Sequence, residues 1–310
     1  IGLLVFWKNM SKFEGKGLPP DPEDLNRPFF LGMSKKWLVY IGACLAVPLS
    51  AVLLNINEVM KFVLLAFSAV ILGYLFYTAF TEKDKKAGQK LGVVIVLFFF
   101  HAIFWALFDQ AGGSLTLFAE RNVDRVVFGS EIPTSLFQSV NPLFIMLLAP
   151  VFSWMWMKMR DNGKEPSTPM KFVLGLGQLG LGFGMIVLGA TVFAVEGYMP
   201  LVFLILMYLF HTTGELSLSP IGLSMVTKLS PGKIVGFVMG AWFLSISLAH
   251  ELAGQLGRLA AVPNEDGGAV ESLAAFTNVY LVWGVGVILG ASILLLLLVP
   301  MLRKWMHDIH

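Results

Sequence analysis

Apolar residues in this chain fall in long blocks separated by short polar stretches. Eight blocks stand out: 37–56, 60–80, 91–118, 136–157, 172–195, 200–226, 234–256 and 273–301. Each is about as long as, or longer than, the roughly 18 to 20 residues that cross a hydrocarbon core. Inside lipid the backbone has no water to bond, so each block predicts a helix. The alternating ten-residue strands of a membrane barrel are absent. The pattern therefore predicts an all-α polytopic membrane protein with eight transmembrane helices.

The polar stretches divide the chain further. Ile1–Trp7 is an apolar run, too short and wrongly flanked for a signal peptide, and reads as the end of a truncated upstream transmembrane helix. Residues 8–36 are polar and hold Pro19, Pro20, Pro22 and Pro28, as expected of a cytoplasmic linker. Residues 37–80 predict a two-helix transmembrane hairpin and 81–90 a charged cytoplasmic connector. Residues 91–301 predict a six-helix bundle, and 302–310 a cytoplasmic tail.

Composition excludes the soluble classes. Of 310 residues, 56% are hydrophobic and 14% charged, and the mean hydropathy is +0.76. Ordinary soluble domains carry roughly 25% charged residues. A nucleic-acid binder, a secreted disulfide scaffold and a soluble enzyme all fit poorly. Cys44 is the only cysteine, so no intrachain disulfide can form.

The net charge of +2 becomes informative once the charges are placed. With eight spans, 18 of the 22 Lys and Arg residues fall on one side of the membrane. Only Lys61, Arg121, Arg125 and Arg258 fall on the other. Basic residues are retained on the cytoplasmic side, so both chain ends are expected there. Trp154 and Trp156, beside Lys158, read as an interfacial belt.

No Lys or Arg lies deep within a span, but two acids do: Asp109 in the third and Glu215 in the sixth. Glu251 is a less central third, in the outer part of the seventh span. A carboxylate at bilayer depth costs several kcal/mol unless protonated, paired or wet, so it faces the bundle interior or a water path. It is either a functional group or a structural carboxyl bonded across helices. His101, Trp105 and Asp109 share one helical face at i, i+4, i+8, and His211, Glu215 and Ser219 repeat the spacing. Each His is either a bonded interior group or part of a relay. Metal binding is not indicated, because no ligand spacing occurs.

Two prolines mark candidate helix irregularities. Pro220 leaves the carbonyl of Leu216 without its donor, beside Glu215, and Pro142 does the same to Gln138, beside the amide of Asn141. Such sites either bind ligand or are plain kinks. Trp105, Phe108 and Trp242 lie inside spans and either wall an apolar pocket or pack the core. Gly175-Leu-Gly177-Gln-Leu-Gly180 matches a dinucleotide fingerprint in letters only, since no strand precedes it. The pair Gly180 and Gly184 instead predicts close helix packing.

These residues resemble one family, the proton-dependent oligopeptide transporters of the major facilitator superfamily. The stretch from Phe104-Trp-Ala-Leu-Phe-Asp109 to Arg125 resembles their seventh helix, and Asn141-Pro-Leu-Phe-Ile through Pro150 their eighth. Gly214-Glu-Leu-Ser-Leu-Ser-Pro through Pro231 resembles their tenth, and Met239-Gly-Ala-Trp-Phe243 their eleventh. The resemblance implies the C-terminal half of a bacterial member: the six-helix bundle of a major facilitator transporter, with 37–80 as an inserted helix pair. It implies that Glu215 meets the peptide α-amino group or a basic residue of the other half, and that Asp109 is the acid of a proton-linked gate. It implies that Asn141 and Ser219 contact the peptide, and that Trp105, Phe108 and Trp242 wall the side-chain pockets. The family's Glu-x-x-Glu-Arg motif belongs to the N-terminal half and does not occur here.

The expected function is proton-coupled symport of di- and tripeptides across a bacterial inner membrane, with no cofactor beyond the proton. The expected partners are those peptides, the lipid bilayer and the missing N-terminal half; no nucleic acid is expected. A proton-coupled transporter of another small solute, or a non-transporting membrane scaffold, would keep the same spans. No nucleophile–base pair suggests an enzyme.

Overall fold

The computed structural model describes residues 2–13, 22–30, 32–260 and 268–307. For residues 3, 13, 22, 30, 54, 57, 58 and 219–221 the description covers the backbone alone. Twelve α-helices lie among the described residues. They are α1 (Gly2–Lys8), α2 (Pro22–Asn26), α3 (Lys35–Leu54), α4 (Asn57–Thr81), α5 (Lys85–Phe108) and α6 (Ser114–Asn122), followed by α7 (Val140–Asp161), α8 (Thr168–Leu188), α9 (Leu201–Leu229), α10 (Val235–Ala260), α11 (Ala269–Val279) and α12 (Ile288–Met306). Among the described residues, eight helical stretches are long and apolar enough to cross a membrane. They coincide with the eight apolar blocks, so the protein is an all-α, multi-pass membrane protein.

Packing divides the chain into two units, residues 1–63 and 64–310. The first holds α1, α2, α3 and the start of α4. Its polar segment contains more structure than composition suggests: an antiparallel ribbon pairs Pro28–Phe30 with Met33–Ser34. Lys35, at the start of α3, pairs with Asp24 at 2.6 Å.

The second unit begins inside α4. A Cβ at Gly88 would collide with the Ala79 carbonyl, so the end of α4 packs backbone-close on the start of α5. Within this unit α8 is flanked by α9 and α12, and α5 by α10 and α12. Its core includes Leu91, Phe98, Phe104, Leu176, Leu179, Phe183, Leu204, Met207, Tyr280 and Leu295.

The α8 glycines allow the close packing, though not through the expected pair. Gly184 faces open space. A Cβ at Gly175 would lie 3.0 Å from the Gly214 carbonyl, and one at Gly214 would lie 2.8 Å from the Gly175 carbonyl. Gly180 instead faces Ile288 and Leu289 of α12.

Several spans are less regular than their apolar pattern. The third breaks: α5 ends at Phe108, Asp109–Gly112 forms a 3-10 turn, and α6 restarts at Ser114. Gly112-Gly113-Ser114 explains the break, because glycine is a poor helix former and Gly/Ser pairs mark kinks. The fourth span opens with a 3-10 turn, Thr134–Ser139, before α7. Pro142 thus falls in the first turn of α7, where its missing N–H is harmless, and it kinks nothing. Nor does Pro220 interrupt α9, which is helical from Leu201 to Leu229. Trp156 corrects the expected belt. Trp154 is 58% exposed with Lys158 over its ring, whereas Trp156 turns inward beneath the buried Lys171.

The loops on the side poor in Lys and Arg are tied by one buried amide. Asn122 donates to the Gly197 carbonyl (2.9 Å) and the Ala269 carbonyl (2.7 Å), and accepts from Ser272 (2.8 Å). A short parallel pairing of Val123 with Met199 lies beside it. Gly197 has φ +89°, and a Cβ there would lie 2.6 Å from the backbone of Ala269. Gly197→Ala is therefore expected to destabilise by about 3 kcal/mol, combining left-handed strain with overpacking. Thermal unfolding in detergent measures it, and an unchanged midpoint would refute it.

Candidate functional site

The break after α5 creates the site. Asp109 sits at the C-terminus of α5, the negative end of the helix dipole, where a carboxylate needs a compensating charge. Its neighbour Gln110 fixes the turn. Gln110 donates to the carbonyls of Ala106 (3.0 Å) and Ala253 on α10 (3.1 Å), and accepts from Ser114 (2.7 Å). Tyr280 donates in turn to Ser114 (3.1 Å). From the other side Gln138 donates to the carbonyl of Ala111 (2.9 Å) and to Thr116 (2.8 Å). A chain of neutral polar groups thus holds the turn open without using the Asp109 carboxylate.

The carboxylate faces a cavity of about 610 Å³ within the second unit, whose walls include Phe108, Asn141, Tyr208, His211 and His250. His250 Nε2 on α10 lies 3.0 Å from Asp109 Oδ2. This is an ion-pair distance without hydrogen-bond alignment. The Asp109 side chain is 25% exposed and that of His250 63%.

Glu215 stands one layer behind the wall. Asn141 donates to its Oε2 (3.0 Å) and to Thr212 Oγ1 (3.2 Å), so the α7 amide clasps the α9 carboxylate. Asn141 itself lines the cavity. Among the described residues no Lys or Arg makes an ion pair with Glu215. Ser219 lies on α9 four residues on, and its side chain falls outside the described residues.

The two histidines have different roles from a shared relay. His101 Nε2 accepts from Trp105 Nε1 (2.8 Å), while its Nδ1 meets Ser245 Oγ at 2.7 Å. Ser245 gives its own proton to the Trp242 carbonyl (2.6 Å). These partners fit one neutral tautomer, with the proton on Nδ1. His101 is therefore a structural clamp between α5 and α10, with no bond to Asp109. His211 is buried between the rings of Phe108 and Phe183, at 6.0 and 4.8 Å. Among the described residues neither of its nitrogens has a hydrogen-bond partner, and the backbones of Leu179 and Gly182 lie against the ring. Neither hydrogen-bonds Glu215.

Of the aromatic candidates, Phe108 lines the cavity. Trp105 lies behind it, in edge contact with Phe108 at 5.2 Å. Trp242 is 3% exposed, tilted over His101 at 4.4 Å, and packs the core away from the cavity. Glu251 accepts from Gln255 on its own helix (3.0 Å).

With this geometry established, comparison with known proteins is direct. The family model described as PTR2, the POT family, matches residues 1–276. The chain belongs to the POT family. It is 33% identical over 305 residues to dipeptide and tripeptide permease B of Shigella dysenteriae, covering 98% of this chain and 61% of the permease. It is 35% identical over 282 residues to peptide transporter YePEPT of Yersinia enterocolitica, covering 88% of this chain and 53% of that one. A crystal structure of a POT family transporter in complex with a thioalcohol-conjugated peptide superposes with a TM-score of 0.72 at 26% identity, over 97% of this chain and 61% of that one. Another, of peptide transporter POT in complex with sulfate, gives 0.70 at 28%, over 98% and 60%. The chain thus spans between about half and three-fifths of the length of these relatives, which by name are permeases and transporters.

Sequence reasoning missed several residues that build the site of this POT-family chain. Gln110, Ser114 and Gln138 are ordinary polar residues within apolar blocks, and the signal that could have revealed the turn they support is the Gly112-Gly113-Ser114 run. Thr212, which shares the Asn141 amide with Glu215, is a hydroxyl within an apolar span and carries no charge to mark it. His250 lay beside Glu251 and carried no signal on its own helix.

Proposed function

We propose that this chain supplies the C-terminal half of the binding site of a proton-coupled symporter of di- and tripeptides. The observation that carries the reading is the Glu215 clasp. A carboxylate at bilayer depth is held by the neutral amide of Asn141, and among the described residues no fixed cation pairs with it. Such a group suits a cation that comes and goes, as a peptide α-ammonium does. Asn141, on the cavity wall, offers the amide through which a peptide reaches the carboxylate. The names of the relatives support peptides as the substrate class.

Asp109 is proposed as the proton-linked gate acid. While ionised it attracts a cation supplied by a segment outside these 310 residues, which holds a gate shut. Protonation removes that attraction and lets the two halves rock, and peptide binding at Glu215 competes for a second pairing. Phe108, with Trp105 behind it, forms the apolar wall of a loose side-chain pocket. Trp242 supports that wall through His101, and Ser219 is a peptide contact. The proton is the coupling ion, with no cofactor. The spans 37–80 are proposed as the inserted pair and 91–301 as the transporter bundle. The proposed setting is the bacterial inner membrane, with both ends of the chain on the Lys- and Arg-rich cytoplasmic side.

The test is uptake of a labelled dipeptide by full-length transporter in proteoliposomes with an acid exterior. Uptake should be uphill and blocked by unlabelled di- and tripeptides. Proton-driven uptake of another solute that peptides do not block would favour a different substrate class. Absence of any uptake would favour a scaffold.

A further inference from the structure

We propose that His250 is the intrachain proton-exchange partner of Asp109, a role that rests on the transport reading above. Among the described residues, Asp109–His250 is the one ion pair at the cavity; Lys35–Asp24, Arg125–Glu131 and Lys171–Glu165 lie outside it. The geometry is that of a pair made to be broken. Nε2 lies 3.0 Å from Oδ2 but out of hydrogen-bond alignment, and the imidazole is well exposed.

The surroundings give the ring room and leave it few rivals. Gly254 and Gly257 follow His250 on the same face of α10, both line the cavity, and a Cβ at either would meet nothing within 4 Å. The imidazole can therefore swing into the cavity while Gln110, bonded to the Ala253 carbonyl, keeps α10 beside the turn. One other titratable group feels the pair: the Glu215 carboxylate is close enough to be repelled by the charge of Asp109. From α9, Tyr208 and His211 line the cavity, and Glu215 is clasped by Asn141. On α5, His101 is bound to Ser245. On α10, Glu251 is bound by Gln255, and Arg258 lies two turns on. From α11, Glu271 lies in the first turn.

The step is a simple proton transfer. A hydronium ion from cavity water protonates the exposed imidazole. The Nε2–H bond then breaks as an Oδ2–H bond forms, and the electron pair stays on Nε2. An ion pair becomes two neutral groups, so Asp109 releases its gate cation and neither side chain of the pair is left charged. Reversal on the inner side returns the pair. The gate acid thereby has two alternative cations, one external to this chain and one at His250.

The test uses full-length transporter in proteoliposomes and compares pH-driven accumulation of a labelled dipeptide with its gradient-free counterflow. In His250→Gln the ratio of accumulation to counterflow should fall about tenfold. His250→Lys, which keeps a cation but cannot release its proton as readily, should flatten the pH profile of accumulation. A proportional fall of both activities, or an unchanged profile in both variants, overturns the proposal. A second measurement needs no substrate: diethyl pyrocarbonate labelling of His250, read by mass spectrometry. It should rise about fivefold in Asp109→Asn, because Nε2, a nitrogen the reagent attacks, faces Oδ2 in the pair although the rest of the ring is exposed; equal labelling overturns the proposal. If the wild type moves no peptide while this labelling rises, the peptide reading fails and the pair stands.

Discussion

Glu215→Gln is expected to abolish proton-driven peptide uptake and to remove measurable peptide binding. Glutamine keeps the shape of the side chain and can still accept from Asn141 through its carbonyl, so the α7–α9 clasp should survive. What disappears is the negative charge that would meet the peptide ammonium. Losing one member of a buried charge pair costs about 3–5 kcal/mol, or roughly a hundred- to several-thousand-fold in dissociation constant. Binding by calorimetry and uptake in proteoliposomes measure the two effects, with a thermal melt to verify the fold. Retained uphill uptake in this variant would remove Glu215 from the role proposed for it.

The legible part of this protein is the part that the bilayer itself dictates. Eight apolar blocks became eight spans because a lipid-embedded backbone has one cheap solution. Their ends moved outward, as at Lys85 and Met306, because helices continue through the interface into polar residues. The departures are local. Gly112-Gly113-Ser114 ends a helix in the middle of an apolar run, and the run hides it from any hydropathy pattern. Pro142 looked like a mid-span kink because the span was drawn as one helix, whereas α7 starts only two residues earlier, at Val140.

The site was legible in its chemistry and illegible in its directions. Asp109 and Glu215 stood out because charge at bilayer depth is costly. Which way a side chain points depends on helix rotation, and these helices are apolar almost all round. Phe108 therefore reached the cavity while Trp242, an equal candidate, was turned into the core against His101 and Phe172. His250 was invisible for a related reason. Spacing along one helix reveals partners at i+4, and its partner is on another helix, 141 residues earlier. The same limit applied to Asn141 and Glu215, where the amide was noticed but its clasp on the carboxylate was not.

Asp109→Asn is expected to uncouple transport from the proton gradient while leaving the fold intact. The turn that carries Asp109 is held by Gln110, Ser114 and Gln138, and the carboxylate contributes no aligned hydrogen bond to it. Asparagine should therefore be accommodated without loss of structure. The effect on accumulation follows from the energy of the gradient. Each pH unit supplies about 1.4 kcal/mol per coupled proton, a tenfold concentration ratio. With the acid removed, the steady-state ratio of internal to external peptide should fall from about ten towards one at a gradient of about one pH unit. Exchange of labelled for unlabelled peptide should persist, because neither Glu215 nor Asn141 depends on Asp109 for its partner. Proteoliposomes held at a series of imposed pH gradients give both quantities. A normal dependence of accumulation on the gradient would mean that the proton is carried elsewhere, and Glu215 would then be the remaining carboxylate at bilayer depth beside the cavity.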